Sequence, residues 1–207
     1  RALDVTPVPS VAPEHVVHDM CNITDVSALT AYCKDVDAIV HLAARASVQE
    51  SIDNPIATSE ANINGTLAVL EAARSSGVQK VIFASSCAVY GDQPILPFRE
   101  DMKASPKSPY ALHKLTGEHM MQLWCELYGV ETLSFRFFNV YGEGMNPNGA
   151  YASVVARFLR LKKEGKPLTI TGDGTQTRDF IHVRDVTKAI VSALLLPKLD
   201  GSAINLG

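Results

Sequence analysis

A chain of 207 residues with 46% hydrophobic side chains can bury a real core in one domain or one large lobe, and is cramped for two unrelated domains. Its 19 Lys and Arg against 22 Asp and Glu leave a net charge of −3 with no basic run, which argues against a nucleic-acid partner. No apolar stretch approaches the ~20 residues of a membrane span, Arg1-Ala2-Leu3-Asp4 begins no signal peptide, and Cys21, Cys33, Cys87 and Cys125 lack CxxC spacing and His clustering, so a cytoplasmic protein with reduced thiols is expected, without a metal site.

In chain order, Arg1 to Val5 reads as the tail of a strand, and Asp37 to Ala43 as a short buried strand. From Ser59 to Ser75, Ile63, Leu67, Leu70 and Ala73 recur at helical spacing until Gly77 ends the pattern. Lys80 to Ser85 is a second buried strand, Tyr110 to Tyr128 a second helix closed by Gly129, and Glu131 to Phe137 a third buried strand. Past Gly142 the composition shifts: Asn146-Pro147-Asn148-Gly149 is loop, Tyr151 to Lys163 is helical, and Thr169 to Phe180 carries the turn signal Gly172-Asp173-Gly174. Ser202 to Gly207 reads as a last strand. Strands separated by helices of this length predict an α/β fold, a doubly wound parallel sheet with ligands outside the carboxyl ends of its strands. Residues 1–142 are expected to form the sheet domain, and 143–207 a mixed region that contributes to a smaller substrate lobe and returns to the sheet.

The chemistry centres on Tyr110-Ala111-Leu112-His113-Lys114 and the serines of Ala84-Ser85-Ser86-Cys87-Ala88-Val89-Tyr90-Gly91. A helix after Pro109 projects Tyr110 and Lys114 from one face and sets an ammonium beside a phenol. A tyrosinate at pH ~7 needs about 4 kcal/mol of differential stabilisation, which Lys114 and a positively charged ring are expected to supply. Taken singly, Tyr110 reads as a surface tyrosine, Lys114 as a solvated charge and Ser86 as a cap; converging at strand ends, the three point to proton handling.

His41-Leu42-Ala43-Ala44, Asn62-Ile63-Asn64-Gly65-Thr66, Ser85 to Gly91, Tyr110 to Lys114, Arg136 to Gly142 and Gly172 to Asp185 follow one another in an order that resembles the extended short-chain dehydrogenase/reductase family, in its NAD-dependent epimerase/dehydratase branch. Within that branch the UDP-glucose 4-epimerase type is nearest. The resemblance implies a Rossmann-like domain and NAD as cofactor, with Tyr110 as base, Ser86 hydrogen-bonded to the reacting sugar hydroxyl, and Lys114 lowering the Tyr110 pKa and binding the nicotinamide ribose. It also implies cofactor contacts from Asp4, Asn22, Ile23, Leu42, Ala43, Ala44, Asn62, Ala84 and Phe137. Sugar-nucleotide contacts are implied for Cys87, Asn139, Tyr151 and Arg178, with local salt bridges to Asp179 or Asp173 as the other reading of Arg178. His182 and Asp185 are expected to hold the fold. The implied partners are a UDP-sugar and a second copy of the chain, paired through the helices before Gly77 and after Pro109, with Met120, Met121, Leu123 and Trp124 as apolar surface; core packing is the other reading of those four.

Three departures qualify the resemblance. No GxxGxxG occurs, so the chain is expected to be an internal piece of a longer protein. Asn22 stands where the family has Asp; its carbonyl still accepts from an adenine amine. Dehydratases of the branch carry an Asp-Glu pair after the catalytic hydroxyl residue, whereas this chain has Cys87 and Ala88, which favours epimerisation of a UDP-sugar through a transient 4-keto sugar. A sugar-nucleotide reductase, decarboxylase or dehydratase, and a silent NAD- or sugar-nucleotide-binding module, are the alternatives.

Overall fold

Apolar residues alternating across the central strands bury two faces at once, and helices cover both. The computed structural model describes residues 1–7, 13–145, 154–170 and 172–207, so the expected loop at 146–149 and Tyr151 lie outside the described residues. Strands β1 (Ala2–Asp4) and β2 (His18–Met20) pair in parallel and lead to helix α1 (Val26–Tyr32), capped by Asp25. After β3 (Ala38–His41) come α2 (Val48–Asp53), α3 (Pro55–Ser59), a π-helical turn (Glu60–Asn64) and α4 (Gly65–Ser76), which Gly77 ends at φ 72°. Strand β4 (Lys80–Ser86) runs into a 3₁₀ turn (Cys87–Tyr90), followed by α5 (Pro109–Tyr128), closed by Gly129 at φ 69°. Next are β5 (Glu131–Phe137), β6 (Asn139–Tyr141), α6 (Val154–Lys163), β7 (Phe180–His182), α7 (Val183–Leu195) and β8 (Ala203–Leu206). All pairings are parallel: β1 with β2, the four-stranded order β3-β4-β5-β8, and β6 with β7.

Val81 and Phe83 of β4 pack with Leu29, Leu70, Ala73 and Met121 from α1, α4 and α5, while Ile82 packs on the other face with Leu133, Phe135 and Ala193. Each such side chain contributes roughly 1.5–3 kcal/mol on burial. Strand β5 obeys the same period of two with a different chemistry. Leu133 and Phe135 join the α7 face, whereas Thr132 donates to the Met121 carbonyl and Arg136 reaches Glu118 of α5.

One expectation about a helix face is corrected. Leu67, expected in the core stripe, is exposed, because the buried stripe runs through Asn62, Thr66, Val69, Leu70 and Ala73. Of the residues read as either dimer surface or core, Met121 is fully buried, and Met120 and Trp124 pack against the same core. Gly117 explains how α5 comes so close to β4: a Cβ there would lie 2.5 Å from Phe83 Cζ. Glycine is unfavourable in a helix interior by roughly 1 kcal/mol against alanine, and here it is what lets the ring sit against the helix backbone.

Candidate active site

The carboxyl end of β4 meets the first turns of α5, and the contact is made residue by residue. Ser108 caps α5 by accepting from the Ala111 amide, and Ser51 of α2 accepts from the Tyr110 amide at 3.0 Å. With its first turn fixed, α5 presents Tyr110, Lys114 and Glu118 at intervals of one turn. Lys114 Nζ donates to the Ala84 carbonyl at 2.6 Å and lies 4.8 Å from the Phe83 ring centroid. The Ser86 hydroxyl faces the Tyr110 phenol closely enough to favour its ionised form, and it accepts from the Ala88 amide in the 3₁₀ turn. Ser86, Tyr110 and Lys114 are therefore together at a strand end.

Burial sets the protonation states. Lys114 is 4% exposed, and loss of hydration pulls its pKa down to about 8. In the chain itself the Tyr110 phenol is raised. Burial pushes it up, the Ser86 hydrogen bond offsets part of that, and the Cys87 thiol adds a smaller upward push. The Lys114 ammonium donates to Ala84 and lies 5.8 Å from the Tyr110 ring centroid, and burial is the larger influence on the phenol. His41 is held neutral near the pair, its pKa lowered to about 3 by burial and then by Lys114. Thr66 gives its one hydroxyl hydrogen to the Asn62 carbonyl, so the His41 Nε2–H donates to Thr66 at 3.0 Å.

The expected cofactor residues form two groups. At the carboxyl end of β1, Asp4 is exposed and its carboxyl is held below the ordinary range by hydrogen bonds from Thr6. Asn22 turns its carbonyl oxygen onto the Thr24 amide and hydroxyl, and Ile23 packs on α4, where a Cβ on Gly65 would lie 2.8 Å from Ile23 Cγ2. Beyond β3, Leu42 and Ala43 are exposed and Ala44 is half-buried. Buried Asn62 holds this loop, accepting from the Arg45 amide at 2.8 Å and donating to the Arg45 carbonyl at 3.0 Å. An ionised carboxylate for ribose hydroxyls, small side chains along the β3 loop and a buried ammonium fit NAD at both ends. Ala84 serves through its carbonyl, and Phe137, half-buried, packs on the α7 face.

Three of the expected substrate residues, Cys87, Asn139 and Arg178, lie around Asp179. Cys87 lies where the charges of Asp179 and Arg178 reach it, and burial raises its thiol, which keeps it protonated at neutral pH. Asn139 Nδ2 donates to the Asp179 carbonyl at 2.8 Å, joining β6 to the segment before β7. Arg178 donates to the Thr177 carbonyl, and Asp173 accepts from Thr175 in the turn between Gly172 and Gly174. His182 caps α7 by accepting from the Arg184 amide.

Glu118 and Arg136 have no role in the sequence reading, yet they form a buried bidentate pair beneath the site, Nε to Oε1 at 3.0 Å and Nη2 to Oε2 at 2.7 Å. The available signal is Glu118 one further turn along the stripe of Tyr110 and Lys114.

The model of the NAD dependent epimerase/dehydratase family matches residues 4–207. A UDP-glucose 4-epimerase of Mycolicibacterium smegmatis is 41% identical over 170 residues, 82% of this chain and 54% of that protein. A UDP-N-acetyl-alpha-D-glucosaminuronate decarboxylase of Bacillus cytotoxicus is 35% identical over 90% of this chain and 58% of its own length. Among solved structures, UDP-glucose 4-epimerase of Thermotoga maritima with UDP-glucose superposes at TM-score 0.92 with 31% identity, over 99% of this chain and 67% of that one. The Thermus thermophilus UDP-glucose 4-epimerase complex with NAD superposes at 0.88 with 32% identity, over 99% and 68%. The chain spans about half the length of the curated relatives it matches.

Proposed function

Since this chain belongs to the NAD-dependent epimerase/dehydratase family, we propose that the protein carrying it is a nucleotide-sugar 4-epimerase acting on a UDP-sugar. The observation that carries the reading is Ser86, Tyr110 and Lys114 meeting at the end of β4 with Cys87 and Ala88 beside them, where elimination of water needs an acid and a base. NAD, when bound, supplies the hydride acceptor and its positive charge. The chain supplies proton handling: Tyr110 takes and returns the proton of the sugar C4 hydroxyl, and Ser86 holds that hydroxyl by a hydrogen bond. Lys114 anchors the site through Ala84 and offers its remaining hydrogens to the nicotinamide ribose. A neutral, buried Tyr110 phenol is a poor base, so ionisation at neutral pH requires the cofactor's charge. Asp4 receives the adenosine ribose, Asn22 and Ile23 flank the adenine, Leu42 to Ala44 line the phosphate and ribose channel, Asn139 and Arg178 hold the sugar diphosphate, and Tyr151 lines the nucleotide pocket. Arg178 suits that task because a guanidinium fork donates paired hydrogen bonds to phosphate oxygens.

We also propose a homodimer. Leu112, Leu123 and Leu127 line an exposed stripe of α5, with exposed Leu67 on the adjacent α4. Among the described residues no helix is long and apolar enough to cross a membrane, and the four cysteines are free thiols, which suits a reducing cytoplasm. The test is turnover by the intact protein with NAD and UDP-glucose, UDP-glucuronate or UDP-N-acetylglucosamine, followed by NMR. Interconversion at C4 without NADH at 340 nm is expected; net NADH or loss of CO₂ or water defeats the epimerase reading.

A further inference from the structure

Three successive residues of β4 face three successive turns of α5. Lys114 donates to the Ala84 carbonyl, Glu118 accepts from the Ser85 hydroxyl at 2.5 Å, and Tyr110 meets Ser86. The middle grip is charged and deeply buried: Glu118 is 6% and Arg136 7% exposed. The hydrogen bonds of the cluster have assigned directions. Glu118 Oε1 accepts from Ser85 and from Arg136 Nε, and Oε2 from Arg136 Nη2. Arg136 Nη1 donates to the Tyr90 hydroxyl at 2.8 Å, which donates onward to Asn205 Oδ1 at 2.7 Å. Asn205 in turn donates from Nδ2 to the Phe98 carbonyl. The cluster thereby fastens the 3₁₀ turn after Ser86 through Tyr90, the strand through Ser85, and the catalytic helix through Glu118.

A buried ion pair of this kind is a weak source of stability, since volume-matched apolar residues often replace one at no loss. Directional bonds do what apolar packing cannot: they fix the register of β4 against α5. We propose that the Ser85–Glu118–Arg136 cluster is a positioning device that sets the Ser86 hydroxyl against Tyr110. The inference rests on the reading of that pair as the proton-handling site, and the buried Ser85, Glu118 and Arg136 act through it.

Two variants of the intact protein test it. Ser85→Ala removes the grip on β4 and leaves the ion pair; Glu118→Leu with Arg136→Met replaces the pair by apolar volume. With tyrosine labelled by ¹³C at Cζ and Tyr110 assigned through Tyr110→Phe, Ser85→Ala is expected to shift the Tyr110 resonance and leave Tyr32 in place. In turnover, both variants are expected to lower kcat roughly a hundredfold, as misplacement by about 1 Å does, with KM nearly unchanged. The thermal midpoint of the double variant stays at or above wild type. An unmoved Tyr110 resonance in Ser85→Ala, or wild-type kcat in a folded double variant, overturns the inference; should the double variant not fold, Ser85→Ala decides alone. A shifted resonance in a protein that converts no UDP-sugar refutes the proposed activity and leaves the positioning role supported.

Discussion

Lys114 couples function to stability with opposite signs. Its ammonium is held at a pKa of about 8 against an ordinary 10.5, and the gap corresponds to about 3 kcal/mol of lost hydration that folding imposes at neutral pH. The folded-state value is the lower one, so between about 8 and 10.5 the unfolded chain binds more protons and stability rises with pH; below about 8 both states are protonated and the full penalty stands. Lys114→Met removes the charge and keeps the length. It also forfeits the hydrogen bond to Ala84, worth roughly 1.5–3 kcal/mol for a charged donor, which leaves a net gain of about 1 kcal/mol at pH ~7. For a protein of this size that raises the thermal midpoint by roughly 2–4 °C. Urea unfolding of the intact protein without added NAD, read by tryptophan fluorescence at pH ~7 and ~9.5, measures the effect. The advantage of Lys114→Met is expected to shrink by about 2 kcal/mol over that interval, because only wild type releases its buried proton there. A variant less stable than wild type at the lower pH, or a difference independent of pH, refutes the reasoning.

Gly117→Ala tests the close approach of α5 to β4: helix propensity favours alanine by about 1 kcal/mol, but overpacking against Phe83 costs about 1–3 kcal/mol, so a lower thermal midpoint is expected. Phe83→Leu in the same protein should recover it in a double-mutant cycle, and additive effects would contradict the assigned contact. Asp4→Ala is expected to weaken NAD binding roughly ten- to hundredfold in a fluorescence titration, the loss of hydrogen bonds to a charged group. An unchanged Kd removes Asp4 from the site. Leu112→Glu with Leu123→Glu, on the exposed stripe of α5, should convert a dimer to monomers in sedimentation at unchanged secondary structure. A wild-type monomer ends the dimer proposal.

The parts of the fold legible in the sequence are those set by local rules. β4 and β5 stand within a residue of their apolar runs, because both are central strands, and Gly77 and Gly129 end their helices in the left-handed conformation the pattern demands. Three-residue strands such as β6 and β7 carry too few residues to show a period. Helix α7 carries a local signal too, in Val183, Val186, Ile190 and Ala193, which recur at helical spacing behind His182. In the site, the spacing of Tyr110 and Lys114 reveals their common face. The direction of the Tyr110 shift is not legible, because it depends on burial beneath the 3₁₀ turn and on where Lys114 spends its hydrogen bond. The face of Leu67 is equally tertiary, and Glu118 reads as a surface charge until Arg136 of β5 arrives beside it.

The central claim is that Tyr110 moves the sugar hydroxyl proton, and Tyr110→Phe in the intact, NAD-loaded protein measures it. Turnover of the accepted UDP-sugar is expected to fall about 10²–10⁴-fold while NAD stays bound and the thermal midpoint is kept. Wild-type turnover in that variant would contradict the account.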